Sequence, residues 1–449
     1  MVALTFYGGV DEIGGNKILV DERKIKVFFD FGQSFNFGSE YFMGWLSPRA
    51  VNGLGDYFEF GLLPRIKGLY AKEQLMRTDF PYMQPEIDAI FLSHAHFDHV
   101  AHICFVDPQI PIYLGAGTKL FLESMEETSG YCDYKEHKYR TFRSAKKIKI
   151  DDIIVEPVHV DHSIPAAYGF IVSTSEGTIV YTGDLRLHGS RRDLSEEFVE
   201  RAKCEPDALI CEGTRMTPKE KRKNYSESQV EQISNEIVSS TDKIVFMTHY
   251  SRDIDRFRSF YNVAIKNQRN IVISPKTAYL LNKLIQDEHL DLPDPLKDER
   301  ILVYYKRKKS GTYDDADYYL WERQFLDKKV GYKFIHKNQN KLIMDLDFYQ
   351  FTELIDIKPD RGCPFIHSLS EPFSEEDIED KVLHNWLNHF GMRFHQLHAS
   401  GHLNKKQIAQ LVTEIGAKKI FPVHTENAQM FKQIGSNTQI IKREKEYRI

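Results

Sequence analysis

Ser93-His94-Ala95-His96-Phe97-Asp98-His99 sets three imidazoles and one carboxylate close together, straight after the apolar run Ile87-Asp88-Ala89-Ile90-Phe91-Leu92. The Ile and Phe residues predict a strand that ends where the histidines begin. His94 and His96 then project to one side of the loop, with Asp98 and His99 just beyond. Imidazole nitrogens with a hard carboxylate oxygen suit Zn²⁺ and also accept Mn²⁺. A casual His-rich surface tract would not sit at a strand end with an acidic partner in register. The segment therefore predicts a site for two metal ions.

A closed pair of metal sites needs more donors than this segment holds, and other strand-to-loop junctions offer them. His162 lies in Val158-His159-Val160-Asp161-His162-Ser163-Ile164-Pro165, Asp184 in Tyr181-Thr182-Gly183-Asp184, and His424 in Phe421-Pro422-Val423-His424-Thr425-Glu426. Taken singly, each reads as structural; their joint occurrence with the histidine cluster makes them candidate ligands.

The wider chain has 449 residues, too many for one ordinary core, so two domains are expected. Its 41% hydrophobic and 28% charged residues fit a globular protein. No apolar run approaches the roughly 20 residues that cross a bilayer, and the N-terminal segment lacks a secretory pattern. A cytoplasmic protein without a membrane partner is expected. The five cysteines are scattered singly, which argues against a disulfide framework or a zinc knuckle. A net charge of -5 excludes a global attraction to nucleic acid, so a polyanion needs a local basic surface. Lys219-Glu220-Lys221-Arg222-Lys223 and Lys306-Arg307-Lys308-Lys309 are the densest candidates, although each also reads as a solvated turn.

The first third reads as strands with tight turns, Leu4 to Tyr7, Lys17 to Val20 and Lys26 to Phe29, an antiparallel opening. Residues 33 to 82 form an aromatic-rich insert, too long for an ordinary connection. Strands at Lys147 to Ile150, Ile153 to Pro157, Gly169 to Val172 and Thr178 to Tyr181 follow the cluster. From about residue 209 helix and strand alternate, with an amphipathic helix beginning at Ser226 and presenting Val230, Ile233 and Ile237. The tail predicts a helix over Leu403 to Ile415, a strand over Lys418 to Val423 and a helix from Ala428. The expected division is 1–208 and 389–449 for one domain, with 209–388 inserted as a second α/β domain.

The order of these motifs resembles the metallo-β-lactamase superfamily, and the later ones resemble its β-CASP branch of nucleic-acid nucleases. Leu209-Ile210-Cys211-Glu212-Gly213-Thr214 looks like that branch's first motif, with Glu212 as its acid. His398-Ala399-Ser400-Gly401-His402 looks like the second, with His402, and Pro422-Val423-His424 like the third. The resemblance runs from Asp30, after Val27-Phe28-Phe29, to His424. It implies an α/β fold: an αββα sandwich with an inserted α/β β-CASP domain. It further implies two divalent metal ions, zinc or manganese. One would be held by His94, His96, His162 and Asp184, the other by Asp98, His99, Asp184 and His424. Asp184 would bridge them, and Asp30 would orient a ligand imidazole from behind. Such a pair lowers the pKa of a shared water from 15.7 toward about 7 for in-line attack. His402, held by Glu212, would protonate the leaving 3′-oxygen, giving a 5′-phosphate and a 3′-hydroxyl.

His162 is preferred over His159 because it directly precedes Ser163-Ile164-Pro165. His102, His395 and His398 are read as structural or substrate-side. Ser163, Ser400 and Gly401 are candidate phosphate contacts, or simple turn residues. His424 at the third motif implies RNA rather than DNA. The opening Leu4-Thr5-Phe6-Tyr7-Gly8-Gly9-Val10-Asp11-Glu12-Ile13-Gly14-Gly15-Asn16 resembles that of ribonuclease J. With no K-homology extension before it and little chain after the third motif, the shape resembles the archaeal type. The implied activity is a 5′ to 3′ exoribonuclease preferring 5′-monophosphorylated single-stranded RNA, working as a homodimer. The alternatives are an RNA 3′-end-processing endonuclease, a small-molecule metallohydrolase and a noncatalytic RNA-binding scaffold. Two stretches depart from the family pattern: Gly401-His402-Leu403-Asn404, where GHAS is usual, and Phe246-Met247-Thr248-His249-Tyr250-Ser251-Arg252.

Overall fold

Val2, Leu4 and Phe6 are buried while the residues between them are half-exposed, so Val2–Gly8 forms a strand with one face in a core. A computed structural model describes residues 2–129, 133–218, 222–370 and 378–449; Cys132 and the Lys219-Glu220-Lys221 portion of the first basic run lie outside them. The first sheet runs Glu446–Arg448, Val2–Gly8, Lys17–Glu22, Ile25–Phe29, Ala89–Phe91, Pro111–Gly115, Lys138–Phe142. It is antiparallel as far as Ile25–Phe29 and parallel beyond.

The second sheet runs Lys419–Val423, Ala208–Glu212, Thr178–Tyr181, Ala167–Ser173, Ile153–Val160, Ile148–Ile150. Phe6, Phe29 and Phe91 from the first sheet meet Phe170, Tyr181 and Phe421 from the second in one aromatic-rich core. Helices Arg192–Ala202 and Lys405–Ile415 cover the outer face of the second sheet through Phe198, Ile408 and Leu411. Helix Ala116–Thr128 and the 33–82 insert cover the first, burying Phe121, Leu54, Phe58 and Tyr70. Each such side chain contributes roughly 1.5–3 kcal/mol of burial. The layers are those of an αββα sandwich. The insert holds only short helical turns, Ala50–Asn52, Gly55–Glu59 and Lys72–Leu75.

A third sheet, parallel throughout, runs Lys329–Val330, Ile301–Tyr304, Asn270–Ile273, Leu342–Asp345, Val245–Thr248, Pro364–His367, Arg393–Gln396. Its five inner strands are largely apolar runs buried on both faces, as helix-covered parallel sheets require, while the edge strands Lys329–Val330 and Arg393–Gln396 are partly exposed. One core is continuous from the outer face of the first sheet to the third sheet. Helix Pro275–Leu284 packs on Ala116–Thr128 at this junction. Ala208–Glu212 pairs inside the second sheet and Arg393–Gln396 inside the third. Neither the 208/209 nor the 388/389 division therefore coincides with a change of sheet, because strand pairing decides membership and helix–strand alternation does not.

Polar residues set the helix starts. Ser226 and Gln229 form a capping box before Glu227–Ser239, so Ser226 caps that helix and lies just outside it. Asn404 and Gln407 do the same for Lys405–Ile415, which begins two residues later than the apolar pattern suggested. The expected helix from Ala428 is a six-residue 3₁₀ turn, Ala428–Gln433, closed by the Gly435 N–H on the Phe431 carbonyl.

Candidate metal centre

The carboxyl ends of strands from both sheets of the sandwich converge on one point. Asp30 follows Ile25–Phe29, and His94 and His96 lie in the loop after Ala89–Phe91. The short helix Phe97–Val100 carries buried Asp98 and His99. The second sheet delivers His162 after Ile153–Val160, Asp184 after Thr178–Tyr181, Glu212 at the end of its strand and His424 after Lys419–Val423. Asp30 and His424 both have a φ of 57°, a left-handed backbone rare for residues with a Cβ. Such strain gathers where a side chain must be aimed.

Two separate donor groups result, and a third set, His162, Asp184 and His402, overlaps both. His96 Nδ1 lies 2.9 Å from His94 Nε2 and 3.0 Å from His162 Nε2, so three imidazoles face one another. Asp98, His99, Asp184 and His424 form the second, fully buried group. His424 Nε2 is 2.8 Å from Asp98 Oδ2 and 3.5 Å from Asp184 Oδ2, and His99 Nε2 is 3.1 Å from the same Asp184 oxygen. His94 Nε2 stands 3.8 Å from it, so Asp184 lies between the two groups. Asp184 Oδ1 is buried and has no hydrogen-bond partner. A buried carboxylate oxygen left without a donor is costly unless a ligand completes it. Nitrogen and oxygen donors converging around such an atom fit divalent cations.

Protonation follows the same division. Burial holds His94 and His162 well below the usual histidine range and brings His96 down to about 3, leaving neutral imidazoles whose lone pairs a cation can use. Burial also opposes protonation of His99 and His424. The neighbouring carboxylates outweigh it, holding His99 well above the ordinary value and His424 up at about 9. Asp98 and Asp184 lie below the usual carboxylate range: burial raises them, and the facing imidazoles overcome that.

Behind the donors, Asp30 accepts from His99 Nδ1 at 2.8 Å, the Ser93 N–H at 2.7 Å, Ser93 Oγ at 2.8 Å and the Tyr181 hydroxyl at 2.6 Å. Asn16 Nδ2 donates to that hydroxyl at 2.8 Å. This fixes the His99 ring with Nε2 toward the centre.

His402 completes the site on the side of His162. Its Nδ1 is 3.3 Å from Glu212 Oε2, 3.8 Å from Asp184 Oδ2 and 3.1 Å from Thr214 Oγ1. Thr214 Oγ1 also lies 2.9 Å from His424 Nδ1 and donates to Glu212 Oε2 at 2.8 Å. Nothing in the local sequence marks Thr214, two places after Glu212, or Tyr181 and Ser93 as supports of the site; their hydroxyl contacts do. The Gly401 carbonyl accepts from His162 Nδ1 at 2.6 Å, and Ser400 Oγ accepts from the His402 N–H at 3.2 Å. A Cβ on Gly401 would stand 2.9 Å from Ser163 Oγ, so Ser163, Ser400 and Gly401 line the His402 edge.

The competing histidines lie elsewhere. His159 stacks on Tyr168, His102 meets Gln33 and Phe37, and His398 meets the Ser368 carbonyl. His395 lies in the strand Arg393–Gln396. Asn404, in the stretch departing from the family pattern, is occupied as a helix cap.

Residues 68–250 match the family model described as the beta-lactamase superfamily domain, and residues 389–435 that of the Zn-dependent metallo-hydrolase RNA specificity domain. Ribonuclease J 2 of Streptococcus pyogenes serotype M3 is 22% identical over 388 residues, covering 80% of this chain and 64% of that protein. Ribonuclease J of Helicobacter pylori strain J99 is 25% identical over 283 residues, 61% of this chain but only 36% of that protein. Ribonuclease J of Pyrococcus abyssi is 25% identical over 287 residues, 61% and 58% respectively. A solved structure, a protein of unknown function from Enterococcus faecalis V583, has the same fold, with a TM-score of 0.77 over 99% of both chains at 22% identity. Fold, donor arrangement and relatives agree: the chain belongs to the metallo-β-lactamase superfamily, in its ribonuclease J-like β-CASP branch.

Proposed function

We propose that the chain is a metal-dependent ribonuclease that hydrolyses single-stranded RNA from its 5′ end, preferring a 5′-monophosphate. The observation that carries this reading is the His402–Glu212 pair, 3.3 Å apart and set 3.8 Å from Asp184. A small-molecule hydrolase needs the metal donors, yet it has no use for a second oriented imidazole beside them or for a whole parallel-sheet domain. The ribonuclease J relatives support RNA as the substrate.

In this reading His94, His96 and His162, with Asp184 beside them, would hold one divalent cation, and Asp98, His99, Asp184 and His424 would hold the other, zinc by preference and manganese as the alternative. When bound, the pair supplies an acidified water and positive charge against the scissile phosphate. His402 carries the proton for the departing 3′-oxygen. Its Nδ1 is taken by Glu212 and Thr214, which leaves Nε2 for the substrate. Asp30 keeps the His99 ring oriented. Ser163, Ser400 and Gly401 border His402 and contact the phosphate. The products are a 5′-phosphate and a 3′-hydroxyl, and the working unit is a homodimer.

The test is incubation of zinc- or manganese-loaded protein with 5′-monophosphorylated RNA labelled at either end. Mononucleotides released from the 5′ end are expected. Discrete internal products would replace the exonuclease with an endonuclease, and intact bound RNA would leave only a binding scaffold.

A further inference from the structure

Two guanidiniums and four carboxylates are buried together where the third-sheet domain meets the loops of the second sheet: Arg186, Arg256, Asp161, Glu227, Asp253 and Asp255. Arg256 stands on helix Ile254–Lys266, which Asp253 caps. It holds Glu227 with two parallel bonds, Nε to Oε1 at 2.7 Å and Nη2 to Oε2 at 3.0 Å. Its remaining hydrogens reach the Ser368 carbonyl at 3.1 Å, the Ser368 hydroxyl, and the Ala399 carbonyl at 3.1 Å. Ser368 directly follows the third-sheet strand Pro364–His367. Glu227 in turn faces Arg186 at 3.6 Å, and Arg186 donates to Asp161 at 3.1 Å and to Asp255 at 2.7 Å.

The ends of this network abut the donors. Asp161 precedes His162, Arg186 stands two residues after Asp184, and Ala399 opens the Ser400-Gly401-His402 turn. The Gly401 carbonyl closes the circuit by accepting from His162 Nδ1 at 2.6 Å. Arg256 thus holds the His402 loop directly at Ala399 and reaches the Asp184 and His162 loops through Glu227 and Arg186, from a planar, bidentate anchor in the third-sheet domain.

We infer that Arg256 is a positioning residue, through which the parallel-sheet domain fixes the His162, Asp184 and His402 loops relative to one another. The His402 part of this inference rests on the ribonuclease reading above; the part concerning His162 and Asp184 rests on the donor geometry alone. A lysine keeps the charge but cannot span Glu227, Ser368 and Ala399 together, so R256K tests geometry separately from charge.

Expected for R256K are a native far-UV spectrum, a kcat lowered by about 10- to 100-fold with KM little changed, and Zn²⁺ stripped at about tenfold lower chelator concentration. A merely stabilising ion network would lower the melting temperature and leave kcat and zinc retention at wild-type values; that result overturns the proposal. Should R256K fail to fold, the isosteric D255N loosens the Arg186 end, together with the Asp255 contacts to Ser190 and Arg258, and leaves the Arg256–Glu227 fork in place. It is expected to shift the same two readouts by roughly three- to tenfold, and unmoved readouts again overturn the proposal. If wild-type protein leaves labelled RNA intact, the ribonuclease reading fails, while the zinc-retention comparison still decides the positioning of His162 and Asp184.

Discussion

Two buried polar clusters lie side by side, and they differ in what their members face. In the Arg186–Glu227–Arg256 network every charge faces an opposite one within 4 Å: Arg256 grips Glu227 with a fork, and the two atoms that make no hydrogen bond, Arg186 Nη1 and Asp253 Oδ2, still face Glu227 at 3.6 Å and Arg256 at 3.9 Å. In the His94–His424 cluster His99 and His424 face carboxylates, but His94, His96 and His162 face one another, and Asp184 Oδ1 has no hydrogen-bond partner. A chain that pairs its buried charges in one place and leaves donors converging in the next has built the second place for something it does not itself contain. The burial is the same; the partners supplied by the chain differ.

The strongest way to break this contrast is His402→Ala. Single-turnover RNA cleavage should fall by ~10²–10⁴-fold while RNA binding, measured on filters, persists. Wild-type turnover would remove His402 from the chemistry. Asp184→Asn is expected to weaken zinc retention by at least ~100-fold, beyond what loss of a supporting contact costs, as read by elemental analysis after dialysis. Retention at wild-type level would mean that the orphaned oxygen is not a ligand position.

Proton linkage sharpens the same point. In the metal-free cluster His99 and His424 hold protons because their values are raised, so a cation must displace them. Zinc affinity should therefore rise with pH through about 9, where His424 loses its proton, and level off only once His99 has lost its own. Calorimetry in buffers of different ionisation enthalpy counts the released protons; no release at neutral pH would contradict the arrangement.

The paired region responds to pH in a different currency, stability. Burial, helped by the nearby guanidiniums, depresses His188 to about 4 and His398 to about 3, so these are neutral when folded. The unfolded chain binds their protons below about 6.5, so the stability they contribute is complete above that pH and declines as pH falls toward 4 and then 3. Urea unfolding of the metal-free protein at pH 7 and pH 5 should differ in that direction, with each histidine worth on the order of 2 kcal/mol. An equal midpoint would place them in wetter surroundings. The smallest effect is expected for Asn404→Ala, which removes a helix cap at a cost of about 1 kcal/mol in thermal unfolding and leaves zinc retention untouched.

Much of this could be read before any fold was known. Ile87-Asp88-Ala89-Ile90-Phe91-Leu92 running into His94 is a strand-to-loop junction on pattern alone, and Ala89–Phe91 is a strand. The donors are contiguous in one segment and sit at recognisable strand ends in three others. The Glu212–His402 pair came from family resemblance, since nothing in either local stretch links residues so far apart. Thr214 and Tyr181 escaped because a threonine after a strand reads as a turn and a tyrosine within one reads as core; only their hydroxyl contacts reveal them. Arg186 and Arg256 escaped because charged residues are ordinarily solvated, and complete burial is a property of the packed molecule.

Donor chemistry and strand periodicity belong to the side chains and their local order, so metal binding and the sandwich's strands were legible from residue types and spacing. Packing alone decided that Asp184 stands between two donor groups. It also placed Ala208–Glu212 in the sandwich and Arg393–Gln396 in the third sheet, and joined Arg256 to the His162, Asp184 and His402 loops. Those outcomes depend on distances between residues widely separated in the chain. Such distances are fixed only when apolar faces close on one another and force each buried charge to find its partner.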